Sequence, residues 1–347
     1  MQPKWALILT LLSCLSMSAC RTAASDPRSI VQSEAGQSIL ITEGRAFYFK
    51  AGDSQRDQSF AVQMPADVST FEGVTLDFNL DCPEGRCEIW DRFGSMGLID
   101  ETGRYLELFR FMTPYGIGAR WSIDLSPFLP LLEKEKTFRI SIDTWAAPGS
   151  PQGNGWLVSA KLRYLKDEGS TPGIRPFQVI PVLSKSRVLY GDPKAVTLRE
   201  VELAPLPNFK TAKLVSLITG HGQGNAENCA EFCPKTHSFR LGGQDFKKRV
   251  WRDDCATTVD PAQKGYYQFP RAGWCPGDKV NPWILDVSEA LRAKPRKITY
   301  NVEAYTNGCR PDAAPCTTCI FKTSCDYDGG EHTEPYYYVT SYLVLYR

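Results

Sequence analysis

Gly73-Val-Thr-Leu-Asp-Phe-Asn-Leu80 alternates apolar and polar side chains along its length, the period-two pattern of a strand with one face buried and one in water. Phe138-Arg-Ile-Ser-Ile-Asp-Thr-Trp145 does the same. Between such runs stand Gly, Pro, Asn and Asp, the residues of tight turns. Residues 29–167 therefore read as antiparallel β structure. Lys166-Asp-Glu-Gly-Ser-Thr-Pro-Gly-Ile-Arg175 reads as a linker, and strand-like runs resume with Phe177-Gln-Val-Ile-Pro-Val182. Helical periodicity is not sustained past the first twenty residues; the best helical piece is Ser288 to Ala293, a turn or two. A weak internal repeat joins the halves. Trp121-Ser-Ile-Asp-Leu-Ser126 and Trp283-Ile-Leu-Asp-Val-Ser288 each lead through a Leu-containing turn and a basic segment into a strand, Ile140 to Trp145 or Ile298 to Glu303. The expectation is an all-β chain with two domains of one topology, 29–167 and 176–347, each a sandwich or jelly roll.

The N-terminus reads as an export signal over residues 1–20. Lys4 supplies charge, an apolar run follows from Trp5 to Leu15, and Met17-Ser-Ala-Cys20 is a small-residue exit. The run is too short for the roughly 20 residues a membrane-spanning helix needs. The exit resembles a bacterial lipobox, with Cys20 lipidated and residues 21–28 as a tether; an ordinary cleaved signal is the alternative. The expectation is an exported protein held to a membrane by a lipid anchor only, facing periplasm or cell exterior, and monomeric. A formal charge of +1 over 347 residues argues against a nucleic-acid partner.

Of twelve cysteines, setting aside Cys14 and Cys20 leaves ten, an even number in an exported chain, which is the arithmetic of disulfides. Cys82 and Cys87 bracket a turn, Cys229 and Cys233 bracket three residues, and Cys255 and Cys275 close a longer loop. Cys309, Cys316, Cys319 and Cys325 crowd one loop, and their pairing stays open. Their spacing, and that of Cys229, Cys233 and His237, also invites zinc; the oxidising compartment favours bridges, so no metal and no cofactor is expected.

Three acids stand out by context. Asp91 follows the first bracketed turn in Cys87-Glu-Ile-Trp-Asp-Arg92, Glu231 lies inside the Cys229–Cys233 ring, and Asp143 lies in Ile142-Asp-Thr-Trp145. Each also has an ordinary structural reading, as a strand-end or solvated acid.

Several segments, in order along the chain, resemble the peptide-N-glycosidase F family. They are Asp81-Cys-Pro-Glu-Gly-Arg-Cys-Glu-Ile-Trp-Asp-Arg92, Arg110-Phe-Met-Thr-Pro-Tyr115, Ile142-Asp-Thr-Trp145, Asn228-Cys-Ala-Glu-Phe-Cys233, Thr236-His237 and Arg271-Ala-Gly-Trp-Cys-Pro-Gly277. The resemblance spans roughly residues 35 to 345. It implies two antiparallel eight-stranded jelly rolls packed side by side with the active site between them. It also implies hydrolysis of the amide that joins an N-linked glycan to asparagine, on glycoprotein or glycopeptide substrates. Carried over residue by residue, it makes Asp91 the primary catalytic acid, Glu231 the second, and Asp143 a third that helps hold sugar. Arg92, Arg271, Trp90, Trp145 and Trp274 become substrate-binding residues. One carboxylate acting as base and another as acid suits amide cleavage if their environments separate their pKa values. An adjacent arginine keeps one acid ionised and can bind an oxyanion. Tryptophan offers sugars a flat apolar face.

Three departures from the family are visible. Asp143 is one methylene shorter than the family's glutamate. Thr219-Gly-His-Gly-Gln-Gly224 replaces a longer loop carrying a site tryptophan, with His221 either standing in for it or serving as a plain loop histidine. The four-cysteine stretch from Cys309 to Cys325 has no counterpart in the family's best-known member. Copper monooxygenases share the paired jelly-roll architecture but need more histidines than His221, His237 and His332 supply. A non-catalytic glycan-binding lipoprotein is the remaining alternative; it would keep the tryptophans without needing the acids.

Overall fold

The computed structural model describes residues 35–166, 173–192, 196–295, 297–308 and 334–347. The residues read as an export signal and tether, 1–28 with Cys20, lie outside the described residues, as do His332 and the cysteines from Cys309 to Cys325.

The first half contains β1 (Ala35–Phe47), β2 (Asp57–Gln63), β3 (Phe71–Asp81), β4 (Phe93–Ile99), β5 (Tyr105–Met112), β6 (Ala119–Asp124), β7 (Glu135–Ile142) and β8 (Trp156–Lys166). They pair antiparallel into two sheets, β1-β8-β3-β6 and β2-β7-β4-β5, the strand order of a jelly roll. The second half contains β9 (Pro176–Leu189), β10 (Arg199–Glu202), β11 (Thr211–His221), β12 (Lys235–Leu241), β13 (Gln244–Val250), β14 (Trp283–Asp286), β15 (Lys297–Val302) and β16 (Tyr336–Tyr346). Its sheets are β14-β11-β16-β9 and β10-β15-β12-β13. Counting on by eight strands turns one pair of sheets into the other, so the two rolls share one topology.

The internal repeat marks equivalent places in the two rolls. In the first, the Asp124 carboxylate accepts the Ser126 N–H at 2.9 Å, and the Ser126 hydroxyl accepts the Val74 N–H of β3 at 3.1 Å. In the second, Asp286 accepts the Ser288 N–H at 2.9 Å, and the Ser288 hydroxyl accepts the Ala212 N–H of β11 at 2.9 Å. The shared Asp-x-Ser turns the chain out of the sixth strand and satisfies a backbone donor at the start of the third. The short helix α1 (Cys255–Thr258) follows β13, and the expected helical piece is α2 (Ser288–Arg292).

Each roll has its own apolar core, the first around Phe78, Phe138, Trp156 and Leu162 and the second around Phe239, Tyr300, Val339 and Leu343. Strands β5, β11 and β16 break the half-buried pattern, being buried on both faces over most of their length. One face fills its own roll and the other meets the neighbouring roll: Val215, Tyr342, Val344 and Tyr346 join the first roll's core.

A buried ion pair sits in that interface. Arg110 and Glu107 are both fully buried and meet at 2.5 Å. Arg110 also donates to the Thr219 hydroxyl (2.9 Å), the Tyr338 carbonyl (2.9 Å) and the Thr340 hydroxyl (3.2 Å) of the other roll. The Thr340 hydroxyl donates to Glu107, and the Tyr342 hydroxyl donates to the Glu107 carbonyl at 2.9 Å. The pair thus has partners on both sides of the seam, the condition under which buried charges are tolerated.

Candidate active site between the two rolls

The loop after β3 carries the first acid. The Cys82–Cys87 bridge closes the turn at Pro83–Gly85, and the Ile89 N–H donates to the Gln152 carbonyl at 3.0 Å. Gly153, at φ +108°, lies so close that a Cβ there would stand 2.2 Å from the Cys87 carbonyl oxygen; only glycine fits. Thr113 clamps the far end, accepting the Arg92 N–H at 2.8 Å while its own N–H donates to the Arg92 carbonyl at 2.9 Å. Neighbouring side chains then diverge: Asp91 turns to the second roll and Arg92 turns back to Glu88.

The second roll supplies Glu231 and Arg271. The Cys229–Cys233 bridge encloses Glu231; its N–H donates to the Gly222 carbonyl (3.1 Å) and its carbonyl accepts the Ala272 N–H (2.8 Å). Arg271 exchanges two backbone bonds with Arg252 (2.8 and 3.0 Å) just ahead of the Cys255–Cys275 staple. Its guanidinium lies between the acids, with Nη2 3.8 Å from Asp91 and Nε 3.4 Å from Glu231. The Nε–H makes no aligned hydrogen bond although it is buried. Trp274 and Phe232 place their rings 4.8 and 5.1 Å from the guanidinium, a cation–π cradle.

Tyr115 completes the group. Its hydroxyl faces Asp91 and accepts from Arg271 at 3.4 Å, and surrounding burial with the Asp91 charge keeps it protonated far above the usual tyrosine range. Burial raises the Asp91 carboxyl above the ordinary aspartate range against the pull of Arg271, Tyr115 and Arg92. Glu231 is pushed up to about 8 by burial and by the Asp91 charge, with Arg271 opposing. Two acids sharing one cation favour one carboxylate and one carboxylic acid. Asp91, which also receives the Tyr115 hydroxyl, is the better anion.

Glu88 organises a second wall. Fully buried, it accepts the Arg92 Nε–H (2.5 Å), the Thr144 hydroxyl (2.5 Å) and the Trp145 N–H (3.3 Å). Sequence reasoning expects Asp143 within a strand; β7 instead ends at Ile142 and Asp143 is exposed just beyond it, its N–H donating to the Phe93 carbonyl at 2.9 Å. The chain has to leave the ladder there for Thr144 to reach Glu88. Crowding raises the Asp143 carboxyl, while Lys185, Arg56 and Arg92 oppose this. Trp145 and Trp90 are 55% and 45% exposed, and the Arg56 guanidinium lies 3.9 Å over the Trp145 ring.

Trp274 differs from these two. It is buried, gives its N–H to the Gly220 carbonyl at 2.8 Å and supports Arg271, so it offers ring face and no hydrogen bond. His221 is not in a loop: it ends β11, buried, stacked on Trp274 (5.9 Å) and Tyr336 (5.3 Å), with Nε2 2.8 Å from the Thr219 hydroxyl. Burial holds its pKa down to about 3, so the ring is neutral. Asp91, Glu231 and Arg271 thus converge directly; Arg92, Asp143, Trp90 and Trp145 lie toward the first-roll wall. Tyr115 and Glu88 had no assigned role in the sequence reading, although both lie inside its quoted motifs.

Cavities of about 540 and 610 Å³ lie elsewhere, and neither is lined by any of the three acids. Cys229 and Cys233 approach Glu227 as metal ligands would, but their sulfurs are joined to each other, and a disulfide offers no thiolate. His237 Nδ1 lies 2.7 Å from the Tyr300 hydroxyl, inside the second core.

Comparison with known proteins gives a consistent picture. Residues 99–164 match the family model for the N-terminal domain of peptide-N-glycosidase F, and residues 190–344 match that for its C-terminal domain. These spans include Asp143, Glu231 and Arg271, while Asp91 and Arg92 precede them. Peptide-N(4)-(N-acetyl-beta-D-glucosaminyl)asparagine amidase F of Elizabethkingia miricola is 29% identical over 262 residues, 70% of this chain and 71% of that protein. PNGase F, a glycosylasparaginase from Flavobacterium meningosepticum, superposes with a TM-score of 0.70 at 22% identity, covering 89% of this chain and 95% of that one. PNGF-II gives 0.65 at 17% identity, covering 89% and 64%.

Proposed function

Because the chain belongs to the peptide-N-glycosidase F family, we propose that the crevice between the rolls hydrolyses the amide joining an N-linked glycan to asparagine, releasing the glycan and leaving aspartate. The observation that carries this is one arginine, Arg271, within 3.8 Å of an acid from one roll and 3.4 Å of an acid from the other. The Asp91 carboxylate takes a proton from water as that water attacks the amide carbon. Arg271 holds the charge that develops on the carbonyl oxygen, while the Tyr115 hydroxyl keeps Asp91 ionised. Glu231, protonated at neutral pH, gives its proton to the departing glycosylamine nitrogen. Asp143, Arg92, Trp90 and Trp145 form the wall for the sugar, while Trp274 keeps Arg271 in place.

Base, acid and oxyanion donors all come from the chain, so the reaction needs no metal. Purified protein given a denatured glycoprotein or a glycopeptide in excess chelator should release glycan at an undiminished rate, and the peptide should gain the mass difference between asparagine and aspartate. A sugar stub left on asparagine would make the protein a glycosidase instead. Absence of release across a broad glycopeptide panel would leave a glycan-binding lipoprotein as the better reading.

The disulfides fit an oxidising, exported setting. The mature protein is a monomer of two domains, 29–167 and 176–347, tethered through lipid on Cys20. Mass spectrometry of the mature N-terminus should find acylated Cys20; an unmodified terminus further along would remove the anchor and leave export intact.

A further inference from the structure

An exposed aromatic pair stands on the loop whose main chain Arg271 holds. Tyr266 and Phe269 are 66% and 48% exposed, with ring centroids 6.1 Å apart and planes tilted by 38°. Exposed large aromatics in contact mark a binding surface more often than isolated ones do. Their backbone is fastened to the catalytic arginine, since Arg271 Nη1 donates to the Phe269 carbonyl at 2.9 Å and Nη2 to the Tyr266 carbonyl at 3.0 Å. The same loop is seated on the other roll. Its Lys264 N–H donates to the Tyr115 carbonyl (3.1 Å), the Gln263 amide oxygen accepts the Tyr115 N–H (3.1 Å), and a Cβ on Gly265 would stand 2.3 Å from the Tyr115 ring. The loop that carries the two rings is therefore fixed against Arg271 and Tyr115, the two groups that face Asp91.

The chemistry of the two sides differs. Around Trp90 and Trp145 stand Asp143, Arg92 and Arg56, charged groups suited to hydroxyls. Residues 261–270 contain one charge, Lys264, and no acid. A glycosylated asparagine presents two different bodies across its scissile amide, a hydroxyl-rich glycan and a polypeptide. If sugar takes the tryptophan wall, the loop held by Arg271 is left for the polypeptide. We propose that Tyr266 and Phe269 form the subsite for the polypeptide flanking the glycosylated asparagine, gripping its apolar side chains. This rests on the amidase reading above. Because Arg271 holds both aromatic residues by their main-chain oxygens, a peptide seated there also braces the group that bears charge in the reaction.

The test is the ratio of kcat/KM values for two substrates with one glycan. One is a glycopeptide with leucine or phenylalanine on both sides of the asparagine; the other is the same glycan on asparagine blocked only by acetyl and amide groups. Replacing both rings (Tyr266→Ala with Phe269→Ala) keeps the carbonyls that Arg271 uses. The ratio is expected to fall about tenfold, the loss typical of removing an aromatic anchor, and Phe269→Trp should largely preserve it. An unchanged ratio in the double variant overturns the subsite. So does a loss that follows glycan size with the peptide held constant, which would give the rings to the glycan. Wild-type protein inactive on both substrates overturns the amidase reading and this proposal with it.

Discussion

Asp91→Asn should fold, keep its disulfides and lose at least ~10²-fold in glycan release, the scale of removing general acid–base help. The amide keeps the size of the carboxyl and can still meet Arg271, so a loss of that size isolates the ionisable group. Glu231→Gln should be impaired as severely, because the departing nitrogen then has no proton donor. Their pH dependence separates the two roles. Activity needs Asp91 ionised, so it rises with pH through a limb above the ordinary aspartate range, since burial raises that carboxyl. It needs Glu231 protonated, so it falls as pH passes about 8, where that acid gives up its proton. In wild type kcat/KM should be bell-shaped; in Glu231→Gln the residual activity should lose the alkaline limb and keep the acid one. An Asp91→Asn variant releasing glycan at the wild-type rate would sink the mechanism.

The second large effect is on stability. Arg110→Ala should cost about 3–5 kcal/mol, the usual penalty for leaving a buried charge unpaired, and lower Tm by roughly 10 °C. Glu107 would lose its cation while still buried, and the Thr219, Tyr338 and Thr340 oxygens would lose a donor at the seam. Arg110→Met combined with Glu107→Leu removes both charges at similar volume and should recover most of the loss. Differential scanning calorimetry of the three proteins decides this. A single variant that melts within a degree or two of wild type would mean that the interface does not depend on the pair.

The two-roll architecture was legible because alternation survives wherever a strand has one wet face: Gly73 to Leu80 lies in β3 and Phe138 to Ile142 in β7. The Asp-x-Ser repeat was legible as well, since the same local bonds recur at each turn. The seam was not. Strands β5, β11 and β16 are buried on both faces, which erases alternation, and Glu107 with Arg110 reads in sequence as an ordinary surface pair. At the site, the quoted motifs led to Asp91, Glu231 and Arg271, which do converge. Tyr115 and Glu88 lay within those motifs without a role, because nothing local says that a tyrosine after proline meets an acid upstream or that a glutamate after a cystine is fully buried. His221 misled for a related reason: glycines on either side suggest a loop, yet the β11 ladder runs through Gly220 and ends on His221 itself.

The position of β16 in its sheet bears on how the protein is born. It is the last strand along the chain, yet it lies between β11 and β9. The sheet of the second roll therefore stays split between β11 and β9 until β16 has been made and seated. Until then Arg110 on the first roll lacks its Tyr338 and Thr340 acceptors, and the waiting face carries a hydrated charge pair amid apolar side chains. Such a face resists dry contact with any surface that lacks those acceptors, since burying the charges without them is costly. The polar pair guards the unfinished surface and then becomes the clasp of the finished one.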